Sequence, residues 1–184
     1  MKGLPIETDE LLLRELELGD APGMFTMDSD PIVHTYLGNH PIETLEQTEA
    51  DIKMVRQQYL DHGMGRWAII HKATGDFVGW TGLKYEQQFR PFPYYDLGYR
   101  LNPKYWGQGI ATTTSFISLK YGFNTLGLSE IHAATDVAHA ASNRVINKCG
   151  FVLIDTFEYE GVPVNWYRIT SAQWAALEAD TDRL

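Results

Sequence analysis

Apolar positions along the chain fall into short runs separated by polar punctuation, and their spacing assigns most of the chain to elements. Residues 11–16, Leu-Leu-Leu-Arg-Glu-Leu, read as a strand, and Gly19-Asp20 turns the chain into a short helix over 21–27 that Asp30-Pro31 stops. Thr44 and Gln47 stand at capping-box spacing ahead of Ile52, Val55 and Tyr59, which predicts a helix running to His62 and ended by Gly63 and Gly65. Two strands follow over 66–71 and 77–84, joined by Lys72-Ala73-Thr74-Gly75-Asp76, a run with hairpin-turn chemistry. Beyond a proline-rich crossing at 89–93, residues 94–101 alternate as another strand. The rhythm then changes to helix 109–125, strand 130–136, helix 141–148, and strands 151–159 and 162–170 with Gly161 between them. Ser171 caps a short final helix through Trp174 and Leu177. These elements imply one α/β domain over 11–179, with loose polar tails at 1–10 and 180–184.

Composition narrows the classes. The chain has 184 residues, 44% hydrophobic and 21% charged, enough for a single domain with a real core. A net charge of -9 argues against a surface that tracks phosphates, so no nucleic-acid partner is expected. The lone Cys149 excludes an internal disulfide or a Cys-rich metal site, and reads as a small packing residue. The scattered histidines show no His-Glu-x-x-His spacing, so no metal is expected. Met1-Lys2-Gly3-Leu4-Pro5 does not open a charged-then-apolar leader, and no run nears the roughly 20 apolar residues of a membrane span. The expectation is a soluble, cytoplasmic protein without membrane contact.

Asn102-Pro103-Lys104-Tyr105-Trp106-Gly107-Gln108-Gly109-Ile110-Ala111-Thr112 follows a strand and opens a helix. A helix N-terminus offers unpaired N–H groups and partial positive charge, and glycines let a phosphate approach that backbone. A lone Gly-x-Gly also serves as plain turn chemistry. A Walker A run is absent, and the dinucleotide fingerprint needs a small third residue where Thr112 stands, so neither ATP nor NAD is favoured.

The segment resembles the acyl-CoA pyrophosphate loop of the GNAT acetyltransferase superfamily, Gln/Arg-x-x-Gly-x-Gly/Ala, with Lys104 in the first place. The likeness continues through Leu97-Gly98-Tyr99-Arg100-Leu101, Leu126-Gly127-Leu128 and 141–151, Ala-Ser-Asn-Arg-Val-Ile-Asn-Lys-Cys-Gly-Phe, in the manner of the ribosomal-protein N-terminal acetyltransferases, the RimJ/RimL-like branch. It covers most of the second half and fits the first half more loosely. The resemblance implies a GNAT fold, α/β, with a mixed central sheet of about six to seven strands flanked by helices. It also implies acetyl-CoA as co-substrate, bound where strands 94–101 and 130–136 splay. Backbone groups of Tyr99 and Leu101 then pair with the pantetheine arm. Amides of Trp106, Gly107, Gln108, Gly109, Ile110, Ala111 and Thr112 hold the pyrophosphate. His139 replaces the usual Asn that touches CoA.

Acyl transfer to an amine needs a neutral amine, oxyanion stabilisation and a proton for the departing thiolate. Ile146 stands where many relatives of this superfamily carry a Tyr acid, so the resemblance passes that role to Ser142, which reads equally as a helix N-cap. Asp96 stands where the branch commonly has Glu and is the candidate base through an ordered water, against a bland reading as a solvated or ion-paired carboxylate. Glu86 and His34 stand in reserve. Asp136, His139 and Ser142 lack the Gly-x-Ser-x-Gly elbow of a hydrolase. The implied acceptor is a peptide N-terminal α-amine. A small amine (polyamine, amino acid or aminoglycoside) comes second and a non-catalytic acyl-CoA-binding module third. A homodimer around the C-terminal strands is expected by analogy. Acceptor specificity is expected in 20–62 and 85–93.

Overall fold

The computed structural model describes residues 3–87 and 90–181. Eight strands form one sheet in the order β1-β2-β3-β4-β5-β6-β8-β7: β1 Ile6–Glu7, β2 Leu11–Glu15, β3 Arg66–His71, β4 Phe77–Glu86, β5 Tyr94–Leu101, β6 Glu130–Asp136, β7 Val152–Tyr159 and β8 Val162–Thr170. Five α-helices flank it: α1 Ala21–Asp28, α2 Leu45–His62, α3 Ile110–Lys120, α4 Ala140–Lys148 and α5 Ser171–Thr181.

Eight strands exceed the six to seven expected. The addition is β1, which corrects the expectation of a loose first segment. Thr8 and Leu11 close a tight turn, and Ile6 and Glu7 lie opposite Leu13 and Leu12. Leu4 and Ile6 also pack onto the core around Leu11 and Leu13. At the other end α5 reaches Thr181, so the start of the expected tail is helical, and the rest lies outside the described residues, as does Phe89 of the proline-rich crossing. Helix 109–125 becomes α3 followed by a wider π turn, Tyr121–Thr125. Gly122 presses onto the sheet there, and a Cβ would meet the Ile131 and Leu83 side chains at 2.7 Å each.

Strand alternation sorts side chains between two faces. Trp67, Ile69, Val78 and Leu101 meet Ile110 and Ile117 of α3. Ala68, Ile70 and Trp80 meet α1 and α2 through Met24, Met27 and Ile52. A third cluster joins Leu83, Leu97, Leu119, Ile131, Ala133, Ile146, Ile169 and Trp174. Cys149 is fully buried in it, and burial pushes its thiol up to about 12, so it is an inert packing group. Among the described residues no helix is long and apolar enough to cross a membrane.

The irregularity that matters lies between β5 and β6. They are parallel neighbours, yet only Asp96 and His132 form a register pair. Beyond that pair no further register pair forms, which leaves a gap in the ladder between Leu97–Leu101 and Ala133–Asp136.

Candidate active site

The gap opens toward the N-terminus of α3. Gly107 and Gly109 take left-handed backbone, with φ of 74° and 80°, and no heavy atom lies within 4 Å of where a Cβ would stand at either. Gly109 is the cap residue and no side chain caps it, so the first N–H groups, those of Ile110, Ala111 and Thr112, are not masked by a side-chain acceptor. Backbone donors, the positive helix end and unfilled space together fit a pyrophosphate.

The rest of the loop is braced. The Trp106 indole donates to the Leu101 carbonyl at 2.8 Å, and Gln108 donates to the Lys104 carbonyl at 3.0 Å. Lys104, the loop cation, is not free: its ammonium and the Tyr105 hydroxyl both reach the Asp76 carboxylate at 2.7 Å. These two donors hold Asp76 at about 2, below the carboxylate value of 3.8. A depressed folded-state pKa contributes stability above the unfolded value that is lost as pH falls. Asp76→Asn is therefore expected to lower the thermal midpoint near neutrality, with the difference from the parent closing between about pH 4 and about pH 2. A thermal-melt series across that range checks it.

Across the gap, α4 presents Ser142 in its first turn. The cap position belongs to His139, which corrects the N-cap reading of Ser142. Instead the Ser142 hydroxyl meets the Tyr99 hydroxyl at 3.0 Å, joining α4 to β5. Burial pushes the Tyr99 phenol up to about 12, so it stays neutral in the physiological range. Asp136, tempting beside Ser142 in sequence, instead accepts from the Ala138 amide at 2.7 Å. His139 stacks on Tyr36, with ring centroids 4.3 Å apart.

Asp96 lies on the opposite face of β5, where its carboxylate pairs with the Arg66 guanidinium. Arg66 also donates to the Gly82 carbonyl and, at 2.8 Å, to the Asp96 carbonyl. Burial raises the Asp96 carboxyl above its ordinary value while Arg66 pulls it back. Gly98 makes room for this cluster, since a Cβ there would fall 2.6 Å from the guanidinium.

On this face opens a cavity of about 590 Å³, walled by Asp51, Val55, Gln58 and His62 of α2 and by Arg66, Trp80, Lys84, Glu86 and Arg100 of the sheet. That volume suits a small ligand or the end of a chain. Most wall charges are matched: Arg100 with Asp28 at 2.9 Å, Lys84 with Glu86 at 2.6 Å, and Arg66 with Asp96. Asp51 has no hydrogen-bond or ion-pair partner among the described residues, and burial raises its carboxyl. Of the reserve bases, Glu86 lines the cavity, while His34 is buried beside Asp28 and Arg100 and burial holds it below its ordinary value.

Sequence reasoning missed several residues that build the site. Arg66 had a signal, a charge at the same alternation as Ala68 and Ile70, but no visible partner. Asn143 secures the β6–α4 turn by donating to the carbonyls of Asp136 and His139 at 2.9 Å each, while its own oxygen accepts from Tyr167 at 2.7 Å. Gln58 clamps α2 to β4 through both backbone groups of Tyr85, each at 3.0 Å.

A sequence profile of the GNAT acetyltransferase domain matches residues 10–152. The uncharacterized N-acetyltransferase YoaA of Bacillus subtilis (strain 168) is 33% identical over 147 residues, 79% of this chain and 81% of that protein. Among solved structures, the spermidine N-acetyltransferase from Vibrio cholerae in complex with CoA and spermine is similar at TM-score 0.73 and 21% identity, over 91% of this chain and 99% of that one. The ribosomal-protein-S5-alanine acetyltransferase from Vibrio fischeri is similar at TM-score 0.76 and 16% identity, over 93% and 98%. With the profile spanning most of the chain and the strand gap and glycine-built helix start in place, the chain belongs to the GNAT family, as an acetyl-CoA-dependent N-acetyltransferase.

Proposed function

We propose that this enzyme acetylates a cationic primary amine, the N-terminal α-amine of a protein or peptide in the manner of the RimJ/RimL-like branch. The observation that carries the reading is the placement of two openings on β5. The unzipped β5–β6 gap leads to the bare start of α3, and the cavity with the unmatched Asp51 lies on the Asp96 face. Asp51 gives the wall a carboxylate with no hydrogen-bond or ion-pair partner among the described residues, which complements one cationic group on the acceptor. The same carboxylate favours a second reading, a small di- or polyamine, which the likeness to a spermidine N-acetyltransferase fold makes worth testing beside the first.

Bound acetyl-CoA supplies the activated thioester carbonyl. The amides from Trp106 to Thr112 would hold its pyrophosphate, and backbone groups of Tyr99 and Leu101 its arm, with the Leu101 carbonyl shared with Trp106. Ser142 is read as the proton donor on the thiol side, its hydroxyl oriented by Tyr99. Asp96 is read as the proton acceptor, its basicity raised by burial and restrained by Arg66. Holding amine and thioester in register contributes most of the rate, since well-oriented encounters are worth about 7–11 kcal/mol.

The test is CoA release from acetyl-CoA across Ala-, Ser- and Met-starting peptides, polyamines, amino acids and aminoglycosides. The buried Cys149 keeps the thiol-dye background low. Release that rises with the peptides supports the first reading, and release confined to polyamines selects the second. No release with any amine, while acetyl-CoA binds, removes both.

A further inference from the structure

We propose that Tyr36 is a positioning residue for the acyl donor, acting through His139, and that the segment from Asp28 to Tyr36 is a strap across the β5–β6 gap. This deepens the proposed function and rests on its placement of the donor in that gap. Two anchors carry it. At one end the buried Asp28 carboxylate holds Arg100 of β5 at 2.9 Å, beyond the last register pair with β6. At the other end the Tyr36 ring stacks on His139, just past the end of β6, at 4.3 Å and an interplanar angle of 18°. The anchors therefore stand on opposite banks of the gap. Between them Val33 and His34 are buried, and the His34 carbonyl accepts from Leu37 at 2.9 Å and Asn39 at 3.1 Å, a compact turn that presents Tyr36.

The main chain of His139 is fixed independently of Tyr36. Its N–H donates to the Asp136 carbonyl at 3.0 Å, and its carbonyl accepts from the Asn143 amide at 3.0 Å. Its ring makes no hydrogen bond among the described residues, so the orientation of the imidazole depends on the stack. Burial holds the imidazole below its ordinary value, which disfavours the charged form of the stacked ring. Tyr36 is 39% exposed, so its replacement spares the core.

The experiment measures calorimetric binding of CoA and of adenosine 3′,5′-bisphosphate, which lacks the pantetheine arm and the second phosphate of the pyrophosphate. The proteins are the parent, Tyr36→Phe, Tyr36→Leu, His139→Asn and the double variant Tyr36→Leu with His139→Asn. Stacked aromatic pairs predict a loss of about two- to tenfold in CoA affinity for Tyr36→Leu, with bisphosphate affinity unchanged. Tyr36→Phe keeps the stack and the affinity. In the His139→Asn background the Tyr36→Leu effect vanishes, the signature of coupling. Unchanged CoA affinity in Tyr36→Leu, or the same loss without His139, overturns the proposal while bisphosphate binding keeps the donor site standing. A parent that binds neither ligand removes the donor site and the strap together.

Discussion

Gly109→Trp is expected to raise the Kd for acetyl-CoA by more than about a hundredfold, because it removes space and backbone geometry at once. A residue with φ of 80° sits where side chains are disfavoured, and the Cβ direction leads into the open volume before the first turn of α3. An indole there fills the place of the anion, and re-angling the cap turns the N–H groups away. Each charge-assisted hydrogen bond to a phosphate oxygen is worth about 1.5–3 kcal/mol, so losing two accounts for the effect. The left-handed residue itself adds about 1–2 kcal/mol of strain, seen as a lower melting midpoint. Gly109→Ala separates the contributions, carrying the strain without the bulk. A folded Gly109→Trp protein that binds acetyl-CoA as the parent does would remove the pyrophosphate assignment.

Arg66→Met should cost about 3–5 kcal/mol of stability at neutral pH, the cost of leaving a buried charge without its partner. The two side chains are 10% and 19% exposed, so water does little to replace the lost guanidinium around Asp96. The variant also removes a donor from the Gly82 carbonyl. The sign with pH follows from Asp96. Without Arg66 its carboxyl rises further, so protonation in mildly acidic solution relieves the buried charge and the loss shrinks as pH falls. Adding Asp96→Asn to Arg66→Met should recover part of the stability at neutral pH. Chemical unfolding of the two single variants and the double variant measures the coupling. Equal losses at pH 5 and pH 8 would mean that the charge is not what matters.

Local chemistry was readable wherever it was self-contained. Thr44 and Gln47 cap α2 reciprocally, at 3.3 Å and 3.0 Å, and Gly63 ends that helix with a φ of 65°. Residues 66–71, 94–101, 130–136 and 162–170 are strands as their alternation implies. A two-residue strand such as β1 carries too short a pattern to announce itself. The candidate donor loop was legible because glycines and a following helix are contiguous. Pairings between distant residues were not. Asp28 with Arg100, Arg66 with Asp96, Tyr36 with His139 and Tyr99 with Ser142 each join segments that only the completed sheet brings together. A single sequence shows that such residues are present without showing which one each will meet. Ser142 illustrates the limit, since its type suits a cap, yet the helix begins at Ala140, three positions before the Asn143 start that a Ser142 cap would require.

The single backbone pair between Asp96 and His132 divides the sheet mechanically into two rafts, β1 to β5 and β6 with β8 and β7. They are bolted on one face by the cluster around Leu97 and Ile131, while no register pair joins the far ends of β5 and β6. Any extended ligand whose amides lie along that seam becomes a ninth, non-covalent strand and turns two rafts into one plate. Stiffness across the seam is then a property of the loaded protein, and the amides of Leu97–Leu101 report it through slower hydrogen exchange when the seam is filled.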